Sequence, residues 1–140
     1  MQRPSQKKLS RSIEKIRAGT TYLFHSPDHP EAGYHLCLVL TDPKEPDQKV
    51  VVVTLLTARE RTDDTVILGP DHHPWIDHET SVDYRAAKLL RADRISYGIN
   101  KRLCHPRSPM SDSLLRLVRQ GLIDSPHALP WIKNYCLERF

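Results

Sequence analysis

Eight histidines in 140 residues are enough to build a metal site or an acid–base pair, so their spacing is weighed first. His72, His73 and His78 stand close together with Asp71, Asp77 and Glu79. Adjacent histidines on a loop point apart and the third lies five residues on, which fits no compact helical zinc signature. A solvated loop, with Pro74 and Trp75 packing the end of the domain, accounts for the same residues, and no metal is expected. The three cysteines Cys37, Cys104 and Cys136 are odd in number and widely spaced, without a Cys-x-x-Cys pair, which reads as reduced thiols. Cys37 sits inside the most apolar segment and suits a core better than a nucleophile. The five glycines are scattered singly, so there is no phosphate-cradling loop, and neither a nucleotide-binding enzyme of the familiar kinds nor a cofactor is expected. Nothing in the spacing marks a serine or cysteine triad.

The remaining charge is unevenly placed. Arg3, Lys7, Lys8, Arg11, Lys15 and Arg17 are opposed only by Glu14, so the first 17 residues carry +5 of the chain's net +4 and the rest carries −1. A basic arm on a nearly neutral body attracts phosphate backbones by charge alone, which makes Lys7, Lys8 and Arg11 candidate nucleic-acid contacts. A solvated terminus has the same composition, and so does an organellar transit peptide.

These residues need a scaffold. The length suits one domain with one core, and an apolar fraction of 39% against 27% charged residues is that of a chain that folds. No apolar run approaches the ~20 residues that cross a bilayer, and the N-terminus has no secretory signal, so a soluble cytoplasmic protein without membrane contact is expected. Leu9, Ile13 and Ile16 recur at helical spacing and predict an amphipathic helix over Ser5 to Ala18. From Gly19 the pattern turns to short β-rich runs, Thr20 to His25, Tyr34 to Thr41, Val50 to Thr57 and Thr65 to Leu68, separated by Pro- and Asp-rich loops. The second and third runs are apolar almost throughout, the mark of strands covered on both faces, in a small barrel or in a sheet under a helix.

Ser81 to Tyr84 suits another strand, while Ala86 to Ala92 permits either a helix or a strand continuing inward. After a loop at Cys104 to Pro109, Ser111-Asp112-Ser113 caps a helix that Gly121 ends, and a last helix starts near Ser125-Pro126 or Leu129-Pro130. The expected organisation is a single domain over 1–140, with a basic helix at 1–18, a β-barrel over 19–100 and helices over 110–140.

The order of a Pro-rich loop, the apolar strand His35-Leu36-Cys37-Leu38-Val39-Leu40, a second loop and the Val-rich strand Val50 to Thr57 resembles the PemK/MazF superfamily of small SH3-like barrels, many of them ribonuclease toxins. His35 stands where that family has an Arg-Pro pair. Thr57 aligns with the threonine of the family's Pro-Ile-Thr-Ser, whose proline and serine are missing here. Ser81 to Arg85 with Lys88 corresponds to a later strand and its basic cluster, and the resemblance spans Gly19 to Ala92. It implies an α+β fold, an SH3-like β-barrel with an N-terminal helix and C-terminal helices, in a divergent branch.

It also implies a metal-independent endoribonuclease of a toxin–antitoxin pair, acting on single-stranded RNA as a homodimer with an antitoxin protein as partner. RNA cleavage without metal needs a base for the 2′-hydroxyl, a donor for the leaving oxygen and groups that hold the phosphate. The resemblance assigns His35 to acid–base work, Thr57 to phosphate contact, Arg85 and Lys88 to charge neutralisation, and Tyr34, Trp75 or Tyr84 to stacking an unpaired base. The alternative is a non-catalytic SH3-like module that binds nucleic acid or a protein.

Overall fold

The computed structural model describes residues 16–26, 31 and 33–140. Two unbroken runs of leucine and valine, bounded by proline-rich loops, become neighbouring central strands. Strand β1 (Thr21–His25), β2 (Tyr34–Val39), β3 (Lys49–Thr57), β4 (Ile67–Leu68), β5 (Thr80–Arg91) and β6 (Cys104–Arg107) form one antiparallel sheet in the order β4-β5-β3-β2-β1-β6. Helix α1 (Ala92–Asn100) follows β5, and α2 (Asp112–Asp124) and α3 (Pro130–Leu137) close the chain.

The apolar runs divide by strand alternation into two cores, where one was expected. Leu36, Leu38, Val51, Val53 and Leu55 face Leu115, Val118, Leu122 and Ile132 of α2 and α3. Cys37, Val39, Val50 and Val52 face Ile95 and Ile99 of α1, together with Ile16 and Tyr22. Each fully buried aliphatic side chain is worth about 1.5–3 kcal/mol, so a sheet with both faces covered is held from both sides. Helices on the two faces account for the absence of polar alternation in β2 and β3. The sheet's edge strands β4 and β6 do not pair with each other, so the described architecture is a mixed α+β fold with an open antiparallel sheet.

The stretch from Ala86 to Ala92 resolves as strand: β5 continues to Arg91, paired with Lys49 to Val52 of β3. Between the partners Val52–Lys88 and Thr54–Asp83, β3 carries Val53 alone while β5 carries Tyr84 to Ala87. That excess length bends β5 about its middle. At the bend Tyr84 is fully buried and its hydroxyl donates to the Val118 carbonyl of α2 at 2.7 Å. Helix α2 starts as expected, with Ser111 Oγ accepting the Leu114 N–H at 3.4 Å, but it runs past Gly121 to Asp124. Gly121 is there because the Tyr84 ring occupies the place of a side chain. A Cβ would meet Val66 Cγ2 at 2.5 Å and Tyr84 Cζ at 2.8 Å.

Helix α3 begins on Pro130 at its first turn, the second of the two expected starts. Two elements were not anticipated. Helix α1 lies inside the range read as barrel, and β6 occupies what reads as loop because it contains Pro106, which an edge strand tolerates. The expected N-terminal helix lies outside the described residues except for Ile16, Arg17 and Ala18, which are not helical and turn into β1 with the Thr20 N–H on the Arg17 carbonyl at 3.0 Å. Among the described residues no helix is long and apolar enough to cross a membrane.

Gly121→Ala therefore forces an overpacked contact between α2 and the β5 bend. A loss of about 1–3 kcal/mol is expected in urea unfolding, and Gly121→Ala combined with Tyr84→Leu recovers part of it if the Tyr84 ring is the obstacle.

Candidate active site

The loop between β4 and β5 builds the site. Gly69 leads into a single 3-10 turn, Pro70–His72, closed by the Gly69 N–H on His72 Nδ1 at 2.8 Å. The next residue, His73, is buried at 4% exposure and acts as a rivet. Its Nδ1 accepts the Trp75 N–H at 3.0 Å, which places the ring proton on Nε2, and Nε2 donates to the Ser108 carbonyl just past β6 at 2.6 Å. Thr21 Oγ1 of β1 donates to the same carbonyl at 2.6 Å. The loop thus leaves one edge of the sheet and is pinned beside the other. Ile76, buried in the α2–α3 core, holds its next residue down.

Beyond that anchor, Asp77 and His78 emerge over the end of β3. His78 Nε2 lies 2.9 Å from Thr57 Oγ1, and His78 Nδ1 is in short contact with Asp77 Oδ1. Thr57 pairs with Thr80, whose hydroxyl donates to the His78 carbonyl at 2.9 Å and fixes the backbone under the ring. The three groups line a cleft of about 470 Å³ with Tyr34, His35, Leu36, Trp75 and Thr80. A carboxylate on Nδ1 holds the imidazole with its proton on that nitrogen, leaving Nε2 to accept from a hydroxyl. This hydroxyl, imidazole and carboxylate order is that of an activated hydroxyl or a general base. The His78 and Asp77 side chains are 54% and 85% exposed, so a substrate hydroxyl can reach the imidazole.

Of the sequence-derived candidates, the structure brings Thr57, Tyr34, Trp75 and His35 to this cleft. Tyr34 and Trp75 are half-exposed, at 49% and 45%. His35 lies one residue along β2 from Tyr34 and Leu36, so alternation assigns its side chain to the α1 face, opposite Thr57. Arg85 is in a separate cleft, hydrogen-bonded through Nη2 to His127 Nδ1 at 3.0 Å. Lys88 lines a third, apolar groove of about 730 Å³ beside Tyr22, Cys37 and α1. The expectation for Tyr84 is corrected: a fully buried ring bonded to α2 cannot stack a base, and burial pushes its hydroxyl pKa up. Lys7, Lys8 and Arg11 lie outside the described residues.

Asp77 and His78 are the pair that sequence reasoning missed as an acid–base unit. His78 drew attention only as a possible ligand, and nothing in the spacing links it to Thr57, 21 residues earlier. Among the described residues no group of three or more His, Cys, Asp and Glu side chains could hold a metal ion. His72, His73 and His78 each bond to separate groups of the protein. The cysteines are free and buried, and burial pushes the Cys37 and Cys136 thiols up to about 11, as befits core residues.

No protein-family model matches the chain, and no curated protein is significantly similar to it.

Two predictions follow from the packing around the cleft. His73→Ala leaves the Trp75 N–H without its acceptor, so a stability loss of about 1–3 kcal/mol is expected in chemical denaturation, together with increased proteolysis within residues 69–79. Asp63 braces the neighbouring Arg85 cleft, accepting from the Thr65 N–H at 2.9 Å and from Ser125 Oγ at 2.7 Å. Burial alone would raise its pKa, but those bonds and nearby His127 outweigh it and hold the carboxyl below its ordinary value. A lowered folded-state pKa stabilises above the unfolded value, and this stabilisation is lost as pH falls through the folded one. The stability advantage of the wild type over Asp63→Asn should be full above about pH 4 and shrink below it; a constant difference across pH 2–7 would contradict this role.

Proposed function

We propose that the chain is a PemK/MazF-like, metal-independent endoribonuclease that cuts single-stranded RNA at the Thr57–His78–Asp77 cleft. The observation that carries the reading is the hydrogen-bonded order of hydroxyl, imidazole and carboxylate in an open cleft rimmed by two half-exposed aromatic rings. His78 Nε2 takes the proton of a substrate 2′-hydroxyl, while Asp77 supports the imidazolium that forms. The 2′-oxygen attacks the adjacent phosphorus, the bond to the 5′-oxygen breaks, and water entering the open cleft protonates that oxygen. Thr57, displaced from His78, donates to a phosphate oxygen. His35 passes from the principal acid–base role to the rim, because its strand position turns it away from Thr57. An antitoxin partner and a two-fold pair of chains belong to the same reading.

A second reading, a non-catalytic module that binds single-stranded nucleic acid, has one observation in its favour. Among the described residues no arginine or lysine lines this cleft, so none of them sets a cation against a phosphate in its transition state there.

Incubation of the purified protein with mixed unstructured RNA separates the two. The endoribonuclease yields fragments with 2′,3′-cyclic phosphate ends in the presence of chelator, and His78→Ala slows cleavage by about 100-fold or more, in line with the loss of a general base. Thr57→Val lowers the rate less. RNA left intact with and without divalent ions, yet retained in a binding assay, would turn the assignment to the module.

A further inference from the structure

The face of the sheet that holds Thr57 continues past it. Leu23 and Leu36 share the α2–α3 core, so alternation puts His25 and Thr21 of β1 and Tyr34 of β2 on that same face. The register of β6 adds His105 opposite Leu23 and Arg107 opposite Thr21. The side chains meet as the register requires. The His25 and Tyr34 rings are 5.1 Å apart and tilted by 41°, and Tyr34 meets His105 edge-on at 5.5 Å. Arg107 places its guanidinium carbon 5.2 Å from the centre of the Trp75 ring, which borders the cleft itself. Tyr34 and Trp75 keep about half of their surface open, and Arg107 is exposed.

This is an uncommon surface for a strand end. Three inter-strand steps separate β3 from β6, roughly 14 Å in all, and the strip across them is made of phenol, imidazole, indole and guanidinium groups. Planar rings with polar edges, interleaved with a fixed cation, are the means by which proteins hold unpaired bases and the phosphates between them. We propose that His25, Tyr34, His105, Trp75 and Arg107 form a stacking track that carries the single-stranded RNA away from the Thr57–His78–Asp77 cleft, across β2, β1 and β6. The track rests on the RNA part of the function proposed above and is independent of whether cleavage occurs. Its consequence is a substrate preference: a short unpaired stretch on one side of the reacting phosphate is bound by base stacking, whereas a duplex, whose bases already stack on each other, is not.

The test uses the full chain and a 2′-O-methyl oligoribonucleotide, which has no free 2′-hydroxyl and cannot be cut by the proposed route. Tyr34→Ala and His105→Ala should each weaken its binding by about 5- to 100-fold, while Tyr34→Phe keeps the ring and the wild-type affinity. Trp75 fluorescence should be quenched on binding. Thermal midpoints of the variants close to that of the wild type show that the loss is one of contact. Affinities of the two alanine variants within twofold of the wild type would overturn the track, as would equal binding of the single strand and its duplex. An intact endoribonuclease that binds without these residues loses only the track, and a protein that binds through them but cuts nothing loses only the catalytic assignment.

Discussion

The loop from Gly69 to Glu79 holds its position through one buried imidazole. His73 joins the Trp75 backbone to the Ser108 carbonyl, and through that carbonyl to Thr21. A loop that starts at the β4 edge is in this way fastened beside β6, at the opposite edge, without any strand pairing between them. Everything placed over the end of the sheet inherits its position from that fastening. Trp75 is held against Arg107, Ile76 is driven into the core, and the two residues that follow are delivered to Thr57. A neutral histidine suits the task, since one ring nitrogen accepts the Trp75 N–H and the other donates to the Ser108 carbonyl.

The sheet can serve as a rigid base for such a loop because it is covered on both sides. Val50 to Val53 alternate between two separate cores, one closed by α1 and the other by α2 and α3. The bend in β5 fastens the sheet to one of these layers, where Tyr84 reaches the α2 backbone and Gly121 makes room for it. The cleft lies beyond these two apolar layers, at the strand ends and the loops above them. The same coverage keeps the cysteines out of the chemistry, as thiols buried among aliphatic side chains resist ionisation.

At the cleft, geometry and charge pull in different directions. The ordering of Asp77, His78 and Thr57 prepares an imidazole to receive a proton, yet among the described residues no arginine or lysine lines the cleft, and Arg107 stacks over Trp75 at its border. Arg85 and Lys88, the cations that the family resemblance brings forward, are on other surfaces of the sheet.

Much of the scaffold was legible in the residues themselves. Unbroken apolar runs bounded by Pro-rich loops located β2 and β3, and the Ser111 cap located the start of α2, because these signals act over neighbouring residues. Where local signals compete, neighbouring residues do not decide the element. Ala86 to Ala92 suits helix or strand, and only pairing with Lys49 to Val52 made it strand; Pro106 argues against a strand until β6 is seen to be an edge. The site was legible only in part. Thr57 could be singled out as the end of a strand, and the family resemblance put Tyr34 and Trp75 forward as stacking rings, but alternation turned His35 to the other face, burial removed Tyr84, and the pairing of Thr57 with His78 has no trace in spacing. The amino-acid sequence by itself determined which segments must be buried, since hydrophobicity and turn chemistry belong to each residue and its neighbours. Which polar groups meet was decided only by tertiary structure, because a buried bond from His73 to a carbonyl 35 residues away sets where the loop lies, and a hydrogen bond forms only between groups the fold has already brought within reach.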